Sequence, residues 1–140
     1  MASMWATEDL KSIWLFSSCT SSELKKIART LDEAEVPAGE LLVQEGEVGR
    51  YLFIIVSGSA AVRRKDRTVA TLGSGDFFGD LALLDRKPHS ASVVCTTDVQ
   101  ILLVSLRRFS QLLESSPTIS KNMMVSMASR LRESESLTYL

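Results

Sequence analysis

All seven glycines of this 140-residue chain, Gly39, Gly46, Gly49, Gly58, Gly73, Gly75 and Gly79, fall between positions 39 and 79. Each sits at or beside a break between short apolar runs: LLVQ from Leu41, YLFIIV from Tyr51, AAV from Ala60 and TVATL from Thr68. Two further runs follow, SASVV from Ser90 and VQILLVSL from Val99. Runs rich in Val, Ile, Leu and Thr, with glycine at the corners, are how a chain lays down many short strands joined by tight turns. The pattern predicts a mainly β fold over 37–105, a small antiparallel barrel or jelly roll. The basic stretch Arg63-Arg64-Lys65-Asp66-Arg67 lies between two runs and is read first as a solvated hairpin turn, with a basic contact patch as the alternative.

Helical patterns flank this region, over 1–36 and 106–140. Ser21 and Ser22 are candidate N-caps for SSELKKIARTLDE, in which Leu24, Ile27, Ala28 and Leu31 form one apolar stripe. Ile13 to Phe16 reads as the end of a small leading helix, and Pro37-Ala38-Gly39 ends the helical pattern. After the strands, Leu106 to Leu113 forms one helix, and Pro117 suits the first turn of a longer one. Ile119, Met123, Met124, Met127 and Leu131 share a helical stripe. That stripe leaves two readings open: a cap on the β unit, or a seam with a second copy of the chain.

Composition excludes several classes. With 16 Lys+Arg against 17 Asp+Glu, the chain is not a dedicated nucleic-acid binder. Its 45% hydrophobic content suffices for one core, and no apolar stretch approaches a membrane span. The acidic start ATEDLKSI does not read as a signal peptide. The expected location is the cytoplasm, or the cytoplasmic face of a membrane protein. Cys19 and Cys95 are far apart in apolar settings and read as reduced core thiols. His89 is the single histidine, so neither a metal site nor a catalytic triad is expected, and an enzyme is not expected either.

The most informative stretch runs from Gly75 through GDFFGDLALLDRKPHSAS to Ser92. Asp80 to Leu84 suits a single helical turn, whose free amide groups and partial positive charge face one spot. Asp80 supplies an acceptor for hydroxyls. Pro88 stiffens the chain as it leaves the loop, and His89 and Ser90 supply donors. Amides, one carboxylate and nearby hydroxyl and imidazole groups suit a phosphate joined to a ribose.

This segment resembles the phosphate-binding cassette of the cyclic nucleotide-binding domain family, F-G-E-L-A-L-[IL]-x-x-x-P-R-x-A-[TS]-V. The chain reads F-G-D-L-A-L-L-D-R-K-P-H-S-A-S-V from Phe78 to Val93. Similar in order and spacing are S-x-E-L-x-x-I-A from Ser21, A-G-E-x-L from Ala38, E-G-E-x-G from Glu45, YLFIIVSG from Tyr51 and GDFFG from Gly75. The resemblance implies one domain over 1–140: an antiparallel jelly-roll β-barrel flanked by N-terminal and C-terminal helices, with its cassette at 78–92. It implies a 3′,5′-cyclic purine nucleotide, cyclic AMP or cyclic GMP, as ligand and no other cofactor. Phe78 and Pro88 frame the cassette. Gly79, Leu81 and Ala82 would offer backbone contacts, Asp80 would take the ribose 2′-hydroxyl, and Ser90 would bond the phosphate. Ala91 stands where a hydroxyl accompanies cyclic GMP preference, which leans the reading towards cyclic AMP.

Two departures matter. Asp80 is one methylene shorter than the family's Glu, and His89 replaces its phosphate-binding Arg. A charge-assisted hydrogen bond contributes about 1.5–3 kcal/mol, so its loss weakens affinity roughly tenfold to a hundredfold. Two functions follow. One is a sensor that binds nucleotide weakly and signals through its C-terminal helices to an output domain, such as a kinase, channel, transporter, hydrolase or DNA-binding unit. The other is a ligand-free interaction domain that pairs with a partner or with its own copy.

Overall fold

The computed structural model describes residues 7–134, so the helical expectation for residues 1–6 and 135–140 lies outside the described residues. Helix α1 (Thr7–Leu10) and a 3-10 turn (Trp14–Phe16) lead into α2 (Ser21–Thr30). The cap of α2 is Thr20 rather than Ser21 or Ser22. Thr20 stands three residues before Glu23, the spacing a reciprocal capping box needs. Its hydroxyl accepts from the Glu23 amide at 3.1 Å, and Glu23 Oε1 accepts from the Thr20 amide at 2.9 Å.

The N-terminal segment is not helical to residue 36. Strand β1 (Asp32–Val36) pairs antiparallel with β8 (Val99–Ser105), from Asp32 opposite Leu103 to Val36 opposite Val99. Glu33 and Glu35 face out while Ala34 and Val36 face in, a period of two that a helical count passes over.

The strands between are β2 (Leu41–Val43), β3 (Tyr51–Ser57), β4 (Ala60–Arg64), β5 (Arg67–Leu72), β6 (Phe77–Phe78) and β7 (Ser92–Cys95). They form two four-stranded antiparallel sheets, β1-β8-β3-β6 and β2-β7-β4-β5. Of the two expected arrangements, barrel or jelly roll, the strands form the double-sheet sandwich of a jelly roll, and among the described residues no strand ladder closes the two sheets into a barrel. The marginal strands β2 and β6, of three and two residues, are too short to pair across both. The β4–β5 hairpin matches its expected place. Lys65 and Asp66 turn it with φ of 51° and 66°, the left-handed pair of a two-residue turn.

One core lies between the sheets, with Phe53, Ile55, Val93, Cys95 and Ile101. A second packs the helices on the outer face of β3 and β8. It joins Phe16, Ile27, Phe109, Ile119 and Met123 to Leu52, Ile54, Leu102 and Val104. Burial on both faces explains why YLFIIV and ILLV are continuous rather than alternating. Cys19 and Cys95 are both buried and unbridged, and burial pushes the Cys19 thiol up to about 11.

Helix α4 (Leu106–Ser115) and helix α5 (Pro117–Ser134), the latter starting at the proline, close the fold. The methionine stripe divides. Ile119 and Met123 are fully buried, whereas Met124 and Leu131 are 59% and 56% exposed. The first half of α5 is therefore part of the core.

Glu23 ties α2 to the α4–α5 junction. It accepts from the Ser116 hydroxyl, and its Oε1 accepts from Thr118 Oγ1 at 3.3 Å. The Ser116 bond first, then the Thr20 amide, holds its carboxyl below the ordinary 4.5. A depressed carboxyl stabilises the fold above its unfolded pKa, and that contribution disappears as pH falls through the folded value. Thermal midpoints are expected to drop as pH is lowered from 5 to 3. Glu23→Gln is expected to lower the midpoint at pH 7 and to flatten that drop.

Candidate functional site

A cavity of about 510 Å³ opens beside α3 (Asp80–Asp85), the helix that follows β6. All nine residues expected from the sequence line it: Phe78, Gly79, Asp80, Leu81, Ala82, Pro88, His89, Ser90 and Ala91. Its floor is apolar, made by Val43, Val62, Ala70, Leu72 and Val93 of the second sheet together with Phe77. Phe78 stacks on Phe53 at 4.9 Å between centroids, which fixes the strand that delivers Gly79. Gly79 has φ of 89° and turns the chain from β6 into α3, and Arg86, with φ of 60°, ends α3 in the same left-handed region.

The loop after α3 is held by backbone bonds. Asp85 Oδ1 accepts from the Lys87 amide at 3.0 Å. The His89 amide donates to the Glu47 carbonyl, and the Gly46 amide donates to the His89 carbonyl, both at 2.9 Å. Arg64 Nε donates to the Ser90 carbonyl at 3.1 Å. His89 is half-buried, and its desolvation pulls the imidazole below its ordinary 6.5 despite Glu47 nearby. The ring is therefore neutral at pH 7.

Asp80 is not an open acceptor. Its side chain is 1% exposed, and both oxygens accept from Arg130 of α5, Oδ2 at 2.7 Å and Oδ1 at 3.3 Å. The Arg130 guanidinium lies 5.7 Å above the Phe77 ring. A guanidinium is the group that suits a buried carboxylate, because two parallel N–H groups satisfy both oxygens. Arg64 and Arg130 were not anticipated as cavity residues. Arg64 lay within a stretch read as a turn, and nothing in the spacing of α5 links Arg130 to a loop 50 residues earlier. Around the cavity Arg64, Lys87 and Arg130 oppose Asp80 and Asp85, so the lining carries one net positive charge. A second opening, by Glu35, Pro37, Ser57 and Asp98, has no cation in its lining.

An apolar floor, a cationic rim and a helix reaching across to the buried carboxylate define a ligand-binding domain suited to an anionic, partly apolar small molecule. The chain belongs to the cyclic nucleotide-binding domain family, whose pattern it matches over residues 33–116. It is 42% identical over 106 residues to the cAMP-dependent protein kinase regulatory subunit of Aspergillus fumigatus, a match covering 74% of this chain and 26% of that protein. The chain thus spans about a quarter of that relative's length. Among solved structures it is similar to the catabolite activator protein of Thermus thermophilus, with a TM-score of 0.79 and 28% identity over 86% of this chain and 59% of that one. It is also similar to the regulatory subunit of a cAMP-independent protein kinase A from Trypanosoma brucei, with a TM-score of 0.77 and 28% identity over 86% of this chain and 44% of that one. Among the described residues no helix is long and apolar enough to cross a membrane.

Proposed function

We propose that this domain is a cytoplasmic regulatory sensor that binds a cyclic nucleotide in the cavity, cyclic AMP in preference to cyclic GMP, and signals through α5 to an output domain. The observation that carries the reading is the Asp80–Arg130 pair: the buried carboxylate of the cavity is held by the C-terminal helix. A ribose hydroxyl that donates to Asp80 competes with an Arg130 N–H for the same oxygen. Binding and the position of α5 are then coupled, because the ligand favours the state in which Asp80 is released.

The purine rests on the apolar floor between Val62 and Leu72. Ser90 bonds the cyclic phosphate, with backbone contacts from Gly79, Leu81 and Ala82. Ala91 offers no hydroxyl, which leans the site towards cyclic AMP over cyclic GMP. Buried Ile119 and Met123 anchor the start of α5, so the motion is confined to its later turns around Arg130. The role is regulatory rather than catalytic.

Arg130→Ala frees Asp80 and is expected to tighten cyclic AMP binding about tenfold or more, since one net hydrogen bond to a charged group is no longer broken on binding. Displacement of a fluorescent cyclic AMP analogue measures this, and an unchanged affinity would remove the coupling.

A second reading, a ligand-free interaction or dimerising domain, is favoured by a different observation. His89 is neutral, both Asp80 oxygens are already bonded, and α5 exposes Met124, Val125 and Leu131. Failure to bind any cyclic nucleotide, together with a dimer in light scattering, would select it.

A further inference from the structure

We propose that Arg64, at the end of β4, meets the negative charge of the ligand's cyclic phosphate and grips it together with Ser90. This assignment rests on the nucleotide reading above. A phosphodiester carries a full negative charge, and taking it into a half-enclosed cavity without a cation is costly. Four basic or imidazole side chains line the cavity: Arg64, Lys87, His89 and Arg130. Arg130 is bonded through both terminal nitrogens to Asp80, and in the proposed relay it leaves the cavity with the later turns of α5 when the ligand binds. His89 is neutral. Lys87 is exposed, the Asp85 carboxylate accepts from its amide rather than its ammonium, and among the described residues no contact fixes its side chain towards the cavity.

Arg64 differs on three counts. It shares a strand face with Val62, which lines the same cavity, while Arg63 points the other way and donates to the Asp66 carbonyl. Its Nε is fixed on the Ser90 carbonyl at 3.1 Å, which places the guanidinium beside the phosphate-bonding serine. Among the described residues no carboxylate lies within ion-pair distance of it, and neither terminal nitrogen has a hydrogen-bond partner. That leaves a planar two-pronged donor, the geometry that fits two phosphate oxygens. The basic run at 63–67 is thus divided: its flanking charges are solvated, and Arg64 faces the cavity.

The test is titration of the full chain with cyclic AMP at low and high salt, on the wild type, Arg64→Ala, Arg64→Lys, Arg63→Ala and Lys87→Ala, with thermal unfolding as the check on folding. Arg64→Ala is expected to weaken binding about tenfold to a hundredfold and to reduce its salt dependence. Arg64→Lys is expected to recover part of the loss, and Arg63→Ala to stay within about threefold of wild type. Wild-type binding left unchanged by Arg64→Ala overturns this assignment and leaves the nucleotide reading standing. So does a larger loss with Lys87→Ala, or a loss that Arg64→Lys does not recover at all, which would mean a role in loop position rather than charge. No binding by the wild type overturns both.

Discussion

Alanine at position 79 is expected to destabilise the domain by about 2–6 kcal/mol and to abolish nucleotide binding. Two costs add. The backbone there has φ of 89°, where a side chain is strained, and a Cβ would stand 2.6 Å from the carbonyl oxygen of Tyr51. Tyr51 begins β3, which pairs with β8, so that oxygen cannot swing aside as the tip of a long side chain would. The ring of Phe53, at 3.4 Å, closes the other side. Relief requires α3 to lift away from β3, and α3 carries Asp80, Leu81 and Ala82. Gly73→Ala is the control, since its backbone is not left-handed and nothing lies within 4 Å of the added carbon. Urea unfolding of both variants checks the claim. A Gly79→Ala protein as stable as Gly73→Ala would contradict it.

Phe109→Ala is expected to cost about 3–5 kcal/mol, the usual penalty for emptying a fully buried aromatic site. Phe109 is 1% exposed and lies in one cluster with Phe16, Leu52, Leu102 and Ile119, where α4 meets β3 and β8. The figure bears on function. If α4 and the start of α5 were loosely docked levers, free to swing as one body, truncating Phe109 would cost little. A large cost instead fixes the pivot of any relay beyond Met123, where burial gives way to exposed Met124 and Val125 and the remaining tie to the cavity is Arg130. Thermal unfolding decides between them: a fall in the midpoint of roughly 10 °C or more is expected, and a fall of a degree or two would favour the swinging lever.

Much of the fold and of the cavity is legible in the sequence. Glycines confined to one stretch marked the corners, and Phe78 to Ala91 gave a single cavity because the cassette is local in sequence. What stayed hidden was long-range. Strand β1 looked like the tail of α2 because its five residues, DEAEV, are mostly charged and its apolar face shows only once β8 lies beside it. The strand runs pointed to a barrel or jelly roll but left closure open, since they do not state which edges pair. Arg130 and Arg64 were invisible as site residues for the same reason: one sits on a helix and the other in a hairpin, and only packing brings them to the loop at 86–91.

Isothermal titration of the purified chain with cyclic AMP at pH 7.5 bears most directly on whether the space beside α3 holds a nucleotide. The account predicts saturable one-to-one binding, weaker by about tenfold to a hundredfold than in a His89→Arg variant. No heat from either protein at millimolar nucleotide would contradict it.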